Sequence, residues 1–104
     1  MADDILDRLQ ATIAARKGAD AATSYTSSLF AKGRRCIAQK LGEEAIETVI
    51  AACGQDDSAI VPEAADLLYH LLVLLADSGL TLDDVRDELV RREGVSGHDE
   101  KAAR

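Results

Sequence analysis

Apolar residues recur at helical spacing along almost the whole chain, and no stretch alternates in the manner of a strand. Ile5, Leu9 and Ile13 stand four apart and predict a first helix, capped by Asp3 or Asp4 and ending near Lys17, with Gly18 just beyond its end. Residues 18–26 are small and polar and read as a loop. A short helix over 27–32 follows, closed by Gly33. Ile37, Leu41, Ala45, Val49 and Ala52 then line one face of a long helix over 34–53. Gly42 inside it costs about 1 kcal/mol relative to alanine, which predicts something packed close to the backbone there. The turn 54–58 offers Asp57 or Ser58 as cap for a helix that runs to Ala76 or Asp77 and stops at Gly79. Pro62 falls in or just after its first turn, where a missing N–H costs little. Thr81-Leu82-Asp83-Asp84 resembles a capping box and opens a last helix through Arg92. Residues 95–104 are polar and read as a loosely ordered tail on a domain spanning 1–94.

The expectation is an all-α protein, a bundle of about four to five helices. Composition sharpens it. Tyr25, Phe30 and Tyr69 are the only aromatic residues, and alanine and leucine supply most of the apolar content. A chain of 104 residues buries only roughly 60–65% of the surface its unfolded form exposes, so the core is thin and self-association, as an intimate homodimer, is expected. The net charge of −7 argues against a nucleic-acid or acidic-membrane partner. It leaves a phosphorylated substrate open, because a metal ion can bridge an acidic protein to an anion. Cys36 and Cys53 fall on one helix, about 25 Å apart, and cannot pair within it. There is no charged-then-apolar leader, and the longest nearly apolar run, 67–76, is interrupted by His70. No run is expected to span a bilayer, and a reduced, cytoplasmic setting is the expectation.

The chemistry lies in two acidic stripes. Glu63, Asp66, His70 and Asp77 fall within an arc of about 60° on an otherwise apolar helix. Lys40, Glu43, Glu44 and Glu47 occupy about 100° on the preceding one, at the edge of its apolar face. A pair of glutamates three apart is usually a solvated face. A helix apolar all round is buried, however, and its single acidic stripe must then meet a partner, water or a metal. Carboxylates gathered side by side are costly unless a cation joins them, and oxygen-rich clusters suit hard divalent ions such as Mg²⁺. Lys40 has two readings, a pair with Glu44 one turn on or a contact to substrate phosphate. Lys32, Arg34 and Arg35 form a basic group at a helix start, where the dipole gives cations no advantage, and this suggests anion binding. His70 reads as a hydrogen-bonded core histidine before it reads as a ligand. Tyr69, Cys36 and Cys53 read as packing residues, and Tyr25 as one that packs or meets a ligand.

Three segments carry a resemblance. Ser24-Tyr25-Thr26-Ser27-Ser28-Leu29-Phe30-Ala31-Lys32-Gly33, Lys40-Leu41-Gly42-Glu43-Glu44-Ala45-Ile46-Glu47 and Glu63-Ala64-Ala65-Asp66-Leu67-Leu68-Tyr69-His70 together resemble the phosphoribosyl-ATP pyrophosphohydrolase family. That family belongs to the all-α, MazG-like nucleotide pyrophosphohydrolases, whose pattern is E-E-x-x-E followed by E-x-x-D. The segment from Gly94 to Ala102 is also similar to the family's C-terminal stretch. The resemblance implies Glu44, Glu47, Glu63 and Asp66 as magnesium ligands with Glu43 beside them. It implies hydrolysis of the α–β phosphoanhydride of phosphoribosyl-ATP to phosphoribosyl-AMP and pyrophosphate, an early step of histidine biosynthesis. Glu44 or Glu47 is then the candidate base for the attacking water, and Lys32, Arg34, Arg35 or Lys40 stabilise phosphate charge. Three other readings stand beside it: a pyrophosphohydrolase of free nucleoside triphosphates, a di-iron bundle and a non-catalytic dimerisation module. The di-iron reading wants Glu-x-x-His on two helices, whereas Asp66 and His70 stand four apart and only once.

Overall fold

The computed structural model describes residues 4–54 and 56–104. Six α-helices follow one another in this part of the chain: α1 (Ile5–Arg16), α2 (Tyr25–Lys32), α3 (Arg34–Cys53), α4 (Ile60–Asp77), α5 (Leu82–Arg91) and α6 (Gly97–Ala103), with a single 3-10 turn at Asp57–Ala59 leading into α4. No strand occurs among the described residues.

Local chemistry explains the boundaries. Asp4 caps α1 by accepting the Asp7 N–H at 3.0 Å, while the other candidate, Asp3, lies outside the described residues. Ser24 caps α2 through the Ser27 N–H, so this helix begins at Tyr25, two residues before the expected start. Gly33 separates α2 from α3 with φ of +94°, a conformation that a side chain would strain. Asp56, and not Asp57 or Ser58, caps the turn before α4, accepting from the Ser58 N–H at 2.9 Å. Gln55 of that turn lies outside the described residues. The Thr81–Asp84 capping box forms in both directions, at 3.2 and 2.8 Å.

The end of the chain corrects the sequence reading. Residues 97–103 form α6, with Ser96 as cap, in place of a loose tail. Glu100 is buried, with Arg91 at 2.7 Å, Arg92 at 3.6 Å and Arg104 at 3.8 Å. Helical spacing reveals only Arg104, four residues on, whereas Arg91 and Arg92 come from the end of α5 and meet Glu100 through the turn between the helices.

The core is small. Ile13, Leu29, Ile37, Leu72 and Val73 are buried together, with Leu9, Phe30, Tyr69 and Leu75 packed against them. Arg86 ties α5 to α1 through Asp7 at 2.8 Å, and this ion pair lowers the Asp7 pKa from its ordinary value. The radius of gyration, 15.6 Å, exceeds the roughly 13 Å of a compact domain this long, so the bundle is open. Residues Asp57–Asp77 are long and apolar enough to cross a bilayer by length and composition, contrary to the expectation from sequence. Leu72 and Val73 of that span enter the core while Glu63 and Asp66 meet an acidic residue of α3, which makes α4 the central helix of the bundle.

Candidate metal centre

The two longest helices, α3 and α4, form an antiparallel pair. Near one end Thr48 reaches Glu63, while at the other Arg34, the first residue of α3, binds Asp77, the last of α4. The Thr48 hydroxyl donates to the Glu44 carbonyl at 2.8 Å and lies 3.3 Å from the Glu63 carbonyl across the pair. Thr48 thus clips together the two turns that carry acidic residues. The sequence reading passed over it; its one signal is a hydroxyl one turn beyond Glu44.

Glu44, Glu63 and Asp66 converge, with one carboxylate oxygen from each lying within 4.8 Å of the others. Glu44 and Glu63 are half-buried and Asp66 is exposed, so the cluster opens to solvent on one side. Partial burial raises the Glu63 pKa above its ordinary value, with Glu47, Asp66 and Glu44 adding repulsion in that order. Glu47 lies outside the triad but close enough for its charge to act on Glu63. Glu43 points elsewhere. It accepts from Gln39 at 2.9 Å and Lys40 at 3.3 Å, and these bonds lower its pKa.

The basic residues divide. Lys40 pairs with Glu43, not with Glu44 as one reading of the sequence had it. Arg34 is held by Asp77 at 2.6 Å and by the Asp77 carbonyl at 3.3 Å, a structural clamp between helix ends. Lys32 and Arg35 are exposed and form no ion pair among the described residues. Gly42 also departs from expectation, since a Cβ there meets nothing within 4 Å. Its backbone faces an open groove of about 550 Å³ lined by Gln39, Gly42, Glu43, Ile46 and Glu47.

His70 is buried and hydrogen-bonded, as its place on an apolar helix implied. Its Nδ1 is 2.7 Å from the Asp66 carbonyl, which can only accept, so Nδ1 carries the proton and Nε2 accepts from the Tyr25 hydroxyl at 3.1 Å.

Three carboxylates from adjoining antiparallel helices offer a hard, all-oxygen donor set. Their mutual repulsion, visible at Glu63, is what a divalent cation relieves, so the residues fit a hard divalent metal ion. An all-α chain built in this way has the features of a MazG-like pyrophosphohydrolase. Comparison with known proteins narrows the class: the pattern of the phosphoribosyl-ATP pyrophosphohydrolase family matches residues 6–93, and the chain belongs to that family. Phosphoribosyl-ATP pyrophosphatase of Rhizorhabdus wittichii is 63% identical over 99 residues, covering 95% of this chain and 93% of the relative. The protein of the same name from Parvibaculum lavamentivorans is 64% identical, covering 95% and 91%. That of Zymomonas mobilis is 56% identical over 104 residues, covering 100% and 97%.

Proposed function

We propose that this chain hydrolyses the α–β phosphoanhydride of phosphoribosyl-ATP, giving phosphoribosyl-AMP and pyrophosphate in histidine biosynthesis, in a magnesium-dependent reaction. The observation that carries the reading is the meeting of Glu44, Glu63 and Asp66 across α3 and α4 in a member of this family. These three would hold the metal, with Glu47 adjoining them and Glu43 beside the group. A magnesium ion held by these residues would supply neutralisation of polyphosphate charge and a more acidic water. Glu47 is the better placed base, because it lies near Glu63 without belonging to the triad and keeps its lone pairs for a proton. Lys40, held by Glu43 beside this face, together with exposed Lys32 and Arg35, receives phosphate oxygens. Arg34 is occupied by Asp77 and supports the helix pair instead.

We place the reaction in the cytoplasm, a reducing setting in which cysteines such as Cys36 and Cys53 stay as thiols. The working form is a homodimer. Ile46, Val49 and Ile50 on α3 and Val61 on α4 are all more than half exposed, and Val61 reaches 76%. Apolar side chains exposed to this degree on an open bundle call for a second copy. Light scattering at 11 kDa across concentrations would overturn this.

The test of the reaction is pyrophosphate release from phosphoribosyl-ATP, ATP and deoxynucleoside triphosphates, each with and without magnesium. Release from phosphoribosyl-ATP should far exceed the others and vanish in EDTA. Equal rates on free triphosphates would replace this substrate by that broader class.

A further inference from the structure

The two tyrosines and His70 form one cluster next to the turn that carries Asp66. Tyr25, the first residue of α2, stacks on Tyr69 with ring centroids 6.2 Å apart and planes at 25°. It meets His70 edge-on at 6.0 Å and 77°. Its hydroxyl donates to His70 Nε2 at 3.1 Å, and the same imidazole donates to the Asp66 carbonyl. The phenol is therefore two hydrogen bonds from the backbone of a carboxylate in the cluster. Tyr69 is fixed in turn by a hydrogen bond between its hydroxyl and Thr26 Oγ1.

Held in this way, Tyr25 is still 52% exposed. An aromatic ring used for packing gains by being covered, whereas this one is anchored at its tip, backed on one face and left open on the remainder. Lys40 and Glu44 of α3 lie near enough for their charges to act on the phenol. A rigid, open ring beside a site for a metal polyphosphate is the setting in which a base stacks, since every base has a π-face and sequence-independent stacking needs little else.

We propose that Tyr25 is the stacking platform for the purine base of the nucleotide, with Tyr69 behind it and His70 as a positioning residue that fixes the tilt of the ring. This deepens the nucleotide-hydrolase reading above and rests on it. The occupant is a base, and the phosphate end of the same ligand lies at Glu44, Glu63 and Asp66.

The experiment compares wild type, Tyr25→Leu and Tyr25→Phe. Leucine keeps bulk and helix propensity but removes the π-face; phenylalanine keeps the face and loses the bond to His70. Steady-state kinetics on phosphoribosyl-ATP are paired with competition by inorganic tripolyphosphate, which has no base, in magnesium throughout. Tyr25→Leu should raise KM about tenfold while changing kcat less. It should leave inhibition by tripolyphosphate unaltered, and Tyr25→Phe should restore most of the loss. An unchanged KM in folded Tyr25→Leu overturns the proposal. So does an equal weakening of nucleotide and tripolyphosphate, which would assign Tyr25 to the phosphate end. Calorimetric titration with a non-hydrolysable ATP analogue and magnesium repeats the comparison without turnover. Wild type that binds the analogue in a Tyr25-dependent way yet releases no pyrophosphate from phosphoribosyl-ATP overturns the reaction and keeps the platform.

Discussion

A carboxylate oxygen of Glu44 on α3 lies within 4.8 Å of one on Asp66 of α4, with Glu63 completing the group. Nothing local joins Glu44 to Asp66. Their approach depends on the antiparallel pairing that Thr48 and Arg34 hold at its two ends.

That geometry ranks the acidic residues. Glu44→Gln, Glu63→Gln and Asp66→Asn each keep size and delete a charge, and each should lower kcat/KM by about a hundredfold or more with a matching loss of magnesium affinity. Glu47→Gln should reduce kcat more than it reduces metal binding. Glu43→Gln should cost least, because the Glu43 carboxylate is engaged by Gln39 and Lys40. Kinetics as a function of magnesium concentration check the ranking, and an equal loss of metal affinity in Glu43→Gln and Glu63→Gln would dissolve the distinction.

The raised pKa of Glu63 predicts how pH acts on the metal-free fold. Raised means that the folded chain holds this proton more tightly than the unfolded one. The contribution is complete below the unfolded pKa, near 4.5, and is lost as pH rises through the higher folded value. In EDTA, Tm should therefore fall on this account as pH rises above about 4.5, and Glu63→Gln should melt above wild type at pH 7. Magnesium should reverse the order, adding about 2.7 kcal/mol to wild type at a hundredfold excess over its Kd. Thermal melts of both proteins in EDTA and in magnesium read this directly. A wild-type midpoint indifferent to magnesium would remove the metal from the cluster.

Gly42 gives a prediction about stability and use together. With nothing within 4 Å of a Cβ at that position, Gly42→Ala should stabilise the folded chain by up to about 1 kcal/mol, a rise of several degrees in Tm. If the groove beside it receives substrate or a second copy, the same variant should lose activity or dimer affinity while melting higher. Melting and sedimentation of the one variant separate these outcomes.

The basic residues should split by function. Arg34→Ala should lower Tm, because it removes the bond to Asp77 that joins the start of α3 to the end of α4. Lys32→Ala and Arg35→Ala should leave Tm nearly unchanged and raise KM several-fold, since neither is engaged by another described residue and each is free to meet an anion. Parallel melts and kinetics on the three variants check the division, and unchanged kinetics in both Lys32→Ala and Arg35→Ala would leave those two side chains as solvated surface.

The sequence by itself determined what depends on neighbours a few positions away. Apolar spacing, caps and glycine stops together locate five of the six helices; Asp4 and Thr81 cap two of them as expected, while Ser96, the cap of the sixth, falls in the stretch that reads as a tail. The same three- and four-residue spacing placed Glu44 with Glu47 and Glu63 with Asp66 on common faces. Tertiary structure decided which of those charges meet. It drew Glu44 to Glu63 and Asp66, left Glu43 with Lys40, gave Arg34 to Asp77, buried Glu100 among arginines, and opened a groove at Gly42 where a packing partner had been expected. Helical periodicity fixes the direction in which a side chain leaves its own helix. The partner it finds depends on the register of the helix opposite, and that register is set by long-range packing of residues such as Ile13, Leu29, Ile37 and Val73, whose apolar character tells that they are buried but not against whom.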